Sequence, residues 1–134
     1  MTLVKIIIMI MAIETGGEID KNNAVGDGGK AIGCLQIHPI TVDEANRILD
    51  RQEFTLADRR SKAQSFRIAS TVLSWRIRRY RLRYGRDPSQ YDVMCSWQSG
   101  SIFKRATRSY REKVNRQLGP ADVDSDGRAI ACLR

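Results

Sequence analysis

The sequence predicts a mainly α-helical protein of α+β type, a single compact helical domain interrupted by one glycine-rich loop. Three observations predict it. Apolar residues recur at helical spacing, as Leu3, Ile7 and Ile10 near the start and as Leu73, Ile77, Tyr80 and Tyr84 further on. Helix start and stop signals punctuate the chain, with Thr41…Glu44 and Ser61…Gln64 as capping boxes and Gly85 and Gly119-Pro120 as stops. The chain has 134 residues, 42% hydrophobic and 28% charged, which suits one folded domain and excludes wholesale disorder.

In chain order, Lys5 and the apolar run 6–13 have the outline of a short export signal. Cleavage after Ala12 would expose or remove Glu14-Thr15-Gly16-Gly17, so the run is read as a buried core helix. Its triple Ile would also suit a strand. Helical numbering settles the choice, because it places Leu3, Ile7, Ile10 and Glu14 on one stripe and aims a carboxylate along an apolar face. Residues 15–32, rich in Gly, Asn and Asp, form a long functional loop. Gly33-Cys34-Leu35-Gln36-Ile37 is a short apolar element stopped by His38-Pro39. The Thr41 box opens a helix to about Gln52, and the Ser61 box opens the longest helix, to about Tyr84. Along that helix Arg76, Arg78, Arg79, Arg81 and Arg83 fall on the faces away from the apolar stripe. Pro88-Ser89 starts another helix into Trp97-Gln98-Ser99-Gly100, and a last helix runs from about Thr107 to Leu118.

The charge is unevenly placed. The net charge of +8 divides into −4 over residues 1–58, +10 over 59–86, where no acidic residue occurs, and +2 over 87–134. A basic block in a mixed chain points to a polyanionic partner, or else to a solvated helix face. No recognised nucleic-acid motif accompanies the charge, so nucleic acid ranks last among the polyanions. No apolar run reaches the roughly 18 residues of a membrane span.

Four motifs follow one another: Ala12-Ile13-Glu14-Thr15-Gly16-Gly17, Ala24-Val25-Gly26-Asp27-Gly28-Gly29, Ala31-Ile32-Gly33-Cys34-Leu35-Gln36-Ile37, and Trp97-Gln98-Ser99-Gly100. Over residues 1–118 this order resembles the lysozyme-like superfamily of soluble lytic transglycosylases and goose-type lysozymes. In those proteins a helix ending in Glu-Ser precedes a glycine-rich loop, a Gly-Leu-Met-Gln-Ile-like segment and a downstream Tyr-Asn or Trp-Asn-Gly-Gly motif. The resemblance implies a lysozyme-like transglycosylase domain at 1–118, and the remaining residues, 119–134, read as a short acidic C-terminal tail. It also implies that Glu14 is the catalytic acid in cleavage of the β-1,4 bond between N-acetylmuramic acid and N-acetylglucosamine. Independently of the name, glycosidic cleavage needs a carboxyl group still protonated near neutral pH, and burial in an apolar setting favours that form.

A lytic transglycosylase needs only that carboxylate, whereas goose-type lysozymes hold a water with two aspartates. Asp27 matches the first of these, and His38 stands where the second would be; Asp27 would also suit a plain Asp-Gly-Gly turn. The resemblance makes Gln36 a substrate-contacting residue, with a core-facing polar residue as the alternative, and Trp97 an aromatic beside the acid that walls the sugar site or else simply packs. Gln98 replaces the family's Asn and Ser99 its Gly. His38 joins the substrate-binding candidates, with a structural role before proline as the alternative.

Asp122, Asp124, Asp126 and Gly127 match the first half of a calcium loop, but position 12, normally Glu, is Leu133. No cofactor is otherwise expected, no Cys-x-x-Cys or His cluster suggests zinc, and Cys34 reads as a buried thiol. Cys95 and Cys132 are candidates to pair. The expectation is therefore a monomeric peptidoglycan-cleaving enzyme acting at the bacterial wall or periplasm and gripping anionic wall polymers through 59–86. Without a cleaved signal, a phage-encoded, holin-released or virion-associated enzyme fits. The alternatives are a hydrolytic goose-type-like lysozyme and an inactive wall-binding or virion structural component.

Overall fold

A computed structural model describes residues 2–119, and among these the chain is mainly helical, with five α-helices and a two-stranded sheet. Asp122, Asp124, Asp126 and Cys132 lie outside the described residues, as does all of the tail beyond Gly119. The chain groups into two units by contact. One, the helical unit, holds the described residues up to Ile13 and from Leu73 onward; the other, the loop unit, is Glu14–Val72.

Helix α1 (Leu3–Thr15) bears out the stripe expected of it. Ile6, Ile7, Ile10 and Met11 are buried, Leu3 and Glu14 are half-buried, and the opposite face leaves Val4 and Ile8 exposed. The helix has no acidic residue in its first turn, but the Thr2 hydroxyl accepts from the Lys5 N–H at 3.3 Å, and burial of this face adds to that cap. No helix among the described residues is long and apolar enough to cross a membrane.

In the loop unit, strands β1 (Val25–Gly26) and β2 (Ala31–Ile32) pair antiparallel, with Val25 opposite Ile32 and Gly26 opposite Ala31. Helix α2 (Pro39–Leu49) starts two residues before the Thr41 box. Pro39 is the reason: its fixed φ and missing N–H suit the first helical position, so His38 becomes the N-cap and Thr41 lies inside the helix. The helix also stops short of Gln52, because Asp50 turns left-handed at φ 54°. The capping box that does form is one the sequence reading passed over. Thr55 and Asp58 exchange side-chain and backbone bonds around a 3-10 turn at Leu56–Arg60. The buried residues of this unit are chiefly Ile32, Leu35, Ile37, Val42, Phe54, Ile68 and Val72.

Helix α3 (Lys62–Tyr84) starts where its box places it, with Ser61 Oγ accepting from the Gln64 N–H at 3.2 Å. Its stripe needs one correction. Arg76, expected with the outward arginines, is 3% exposed, while Tyr84 at the helix end is 48% exposed. Ala69, Leu73, Arg76 and Tyr80 follow the i, i+4, i+7, i+11 series, so the inner face of the helix runs through an arginine. A guanidinium is tolerated there because acceptors meet it: Arg76 Nη1 donates to the Ser96 carbonyl at 2.5 Å, with Ser96 Oγ at 3.4 Å. Helices α4 (Gln90–Ser99) and α5 (Arg108–Leu118) begin close to the expected starts, with Ser89 and Thr107 as their N-caps, and they contact each other. Val93, Met94, Tyr110 and Val114 are buried there.

Candidate functional site

The candidate residues of the loop unit are placed by backbone geometry. Helix α1 ends at Thr15, whose buried hydroxyl donates to the Cys34 carbonyl at 2.7 Å. That bond ties the end of the helix, and with it the neighbouring Glu14, to the Gly33–Ile37 segment nineteen residues on. Glu14 itself is half-buried, one residue before this anchor.

The segment is then folded against the hairpin. The Gly33 N–H donates to the Ala24 carbonyl at 2.9 Å, and Ile32 and Ile37 exchange backbone bonds at 3.2 and 2.9 Å. Gly33 adopts φ 87°, and a Cβ there would stand 1.8 Å from the Arg59 carbonyl oxygen. Only glycine fits that spot, both for its left-handed backbone and for its close approach to the 56–60 turn. Arg59 closes the assembly from the other side. Its Nη1 donates to the carbonyls of Lys30 and Ile37, both at 3.0 Å, while its Nε donates to Leu56 at 3.0 Å. Burial, with Arg60 alongside, pulls the Arg59 guanidinium below the usual arginine range. It remains the cation at neutral pH.

Gln36 sits at φ 49°, and its amide nitrogen donates to the Ala24 carbonyl at 3.2 Å and the Gly33 carbonyl at 3.0 Å. Its Oε1 lies over Gly26, where a Cβ would come within 2.3 Å of it. The side chain therefore braces the loop from within. Asp27 opens the hairpin turn at φ 50° with its side chain largely exposed, and Asp27 Oδ2 lies 3.1 Å from His38 Nε2. His38 makes no side-chain cap to α2, although it is the N-cap residue; its imidazole turns to Asp27 instead. The residue standing in for a second carboxylate is thus brought onto the first. Cys34 is buried as expected, and burial pushes its thiol up in pKa against an opposing hydrogen bond with Ser65.

The two remaining candidates belong to the helical unit. Trp97 is half-buried on α4, where the Arg76 bond to the Ser96 carbonyl fixes the backbone beside it. Gln98 is exposed, and its Oε1 accepts from the Thr107 N–H at 3.0 Å, at the start of α5. Among the described residues, no group of three or more His, Cys, Asp or Glu is placed to hold a metal ion.

Sequence reading missed Thr15 and Arg59 as organisers of the loop. Thr15 was visible beside Glu14 but offered no hint of a partner nineteen residues away. Arg59 was counted only as part of the basic block. Chemically, the unit offers a half-buried carboxyl group at a helix end and an Asp–His pair on a turn, which is an ion pair when the imidazole is protonated. Together these groups can give up, take and orient protons. No family model, no curated protein and no solved structure matches the chain.

Proposed function

We propose that the protein cleaves peptidoglycan at the β-1,4 bond between N-acetylmuramic acid and N-acetylglucosamine, as a lytic transglycosylase acting at the bacterial wall. The observation that carries the reading is Glu14, half-buried on an apolar helix face and tethered through Thr15 to the Gly33–Ile37 segment. In the reaction, the Glu14 carboxyl donates its proton to the glycosidic oxygen as the C1–O bond breaks. The resulting carboxylate takes the proton of the C6 hydroxyl, whose oxygen then bonds to C1. A 1,6-anhydro end forms, no water is consumed, and Glu14 returns to its starting state. Gln36 supports this by bracing the loop that Thr15 ties to the end of α1, and the exposed arginines of 59–86 suit the anionic wall.

A second reading, hydrolysis in the manner of a lysozyme, is favoured by one observation, the 3.1 Å contact of Asp27 with His38. A carboxylate–imidazole pair can hold a water and take its proton. Mass spectrometry of fragments from purified walls decides between them, anhydro ends meaning transglycosylase and reducing ends meaning hydrolysis. A Glu14→Gln variant that lyses walls at the parent rate would remove both.

A further inference from the structure

The helical unit has a cavity of its own, of about 570 Å3, bounded by the end of α3, the first turns of α4, the 102–106 turn and α5. That volume lies within the roughly 300–1,000 Å3 of ordinary ligand sites. Three kinds of group line it. Tyr80, Tyr84 and Phe103 form an aromatic cluster, with ring centroids 4.6, 6.4 and 6.2 Å apart. Cations surround the cluster: Arg86, Lys104, Arg105, Arg108 and Arg111, against two carboxylates, Asp92 and Glu112. Finally, Asn115 adds a half-buried amide side chain to the wall.

Three of these cations are oriented by neighbours. Arg86 lies over the faces of Tyr80 and Tyr84, at 5.3 and 5.7 Å from the centroids, and a stacked guanidinium keeps its N–H edge for acceptors in its own plane. Arg111 is braced by a bond to the Ala106 carbonyl at 2.6 Å, and Arg108 by Glu112 at 3.2 Å. The lining therefore asks for a ligand with separate oxyanions for the guanidinium forks and an apolar stretch for the rings. A polyphosphate fits less well, because it brings no apolar stretch to the rings. We propose that this cavity binds a carboxylate-bearing peptide, its side-chain or terminal carboxylates on the arginines and its apolar stems on the rings. The proposal does not depend on the chemistry of Glu14.

Titration calorimetry of the full chain tests it, with triglutamate, trialanine and tripolyphosphate as probes. Triglutamate is expected to bind with a salt-sensitive affinity and trialanine to bind far more weakly. The double variant Arg86→Ala/Arg105→Ala should lose about ten-fold or more in triglutamate affinity, since charge-assisted forked bonds are removed. Arg78→Ala, an exposed arginine of α3 outside the lining, should change it by less than about two-fold. Arg78, Arg86 and Arg105 are all exposed, and an unchanged melting curve confirms the fold of each variant. The proposal is overturned by triglutamate binding no better than trialanine, by an equal loss from Arg78→Ala, or by tripolyphosphate binding the tighter. The last result would assign the site to phosphate polymers instead. Glu14→Gln should leave triglutamate binding unaltered, so failure of the cavity and failure of the glycosidase reading are told apart.

Discussion

In the loop between Thr15 and His38 most of the atoms that set the geometry belong to the main chain, each held at one position. Gly33 rests under the Arg59 carbonyl, Gln36 donates to two carbonyls, and Arg59 bridges two more. Around Tyr80 and Phe103 the situation is reversed. Long cationic side chains lean on aromatic faces, Arg83 over Phe103 at 4.9 Å and Arg86 over Tyr80 at 5.3 Å, and most are exposed. Main-chain carbonyls cannot shift without unfolding their turn, whereas an arginine re-aims by rotating about its side-chain bonds. The first arrangement suits bond-breaking, which tolerates little misplacement. The second suits gripping a ligand of variable shape, where approximate placement is enough.

The sharpest break of the comparison is Glu14→Gln. It should lower wall lysis by about 10²- to 10⁴-fold, the range for loss of a general acid, with little change in melting temperature. Next comes the rigidity of the loop. Gly33→Ala should cost about 2–4 kcal/mol in urea unfolding, from the left-handed backbone together with the clash on the Arg59 carbonyl. Arg59→Lys should cost about 1–3 kcal/mol, because an ammonium cannot span the Lys30 and Ile37 carbonyls as the fork does. Smaller again, His38→Gln should move stability by less than about 1 kcal/mol, its partner Asp27 being largely exposed. If water is held there, the same change lowers the share of reducing ends among the released fragments.

The smallest effect is a slope against pH. The folded chain holds the Cys34 thiol proton to higher pH than the unfolded chain, since burial raises its pKa. The stabilisation is fully present below the ordinary thiol value near about 8.5 and is lost as pH rises through the folded value. Melting temperatures measured from about pH 7 to pH 10 should therefore fall more steeply for the parent than for Cys34→Ala.

How much of this was legible follows the range of the interactions. Local signals were readable: the stripe of α1, the Ser61 box, and the helix starts near Ser89 and Thr107 all depend on residues a few positions apart. The start of α2 was misplaced because two local signals competed, and proline geometry prevailed over the Thr41 box. Arg76 was misread on residue type, since its i+7 spacing from Ala69 already placed it inward. The contacts that shape the candidate site were illegible for a different reason. Thr15 to Cys34, Asp27 to His38 and Arg59 to Lys30 join residues eleven or more apart, with no periodicity to announce them. The cavity cations were hidden likewise, because all but Arg86 fall after the basic block that drew attention to 59–86.

The Arg59 clasp carries a consequence in time as well as in space. The hairpin is only two residues long on each strand, too short to persist by its own pairing. The Arg59 guanidinium, carried on the 56–60 turn, therefore shares with Thr15 and Gln36 the work of keeping the loop shut. The amide protons of Gly33, Gln36 and Ile37 should then exchange with solvent in one concerted opening, at a rate that Arg59→Lys raises for all three together.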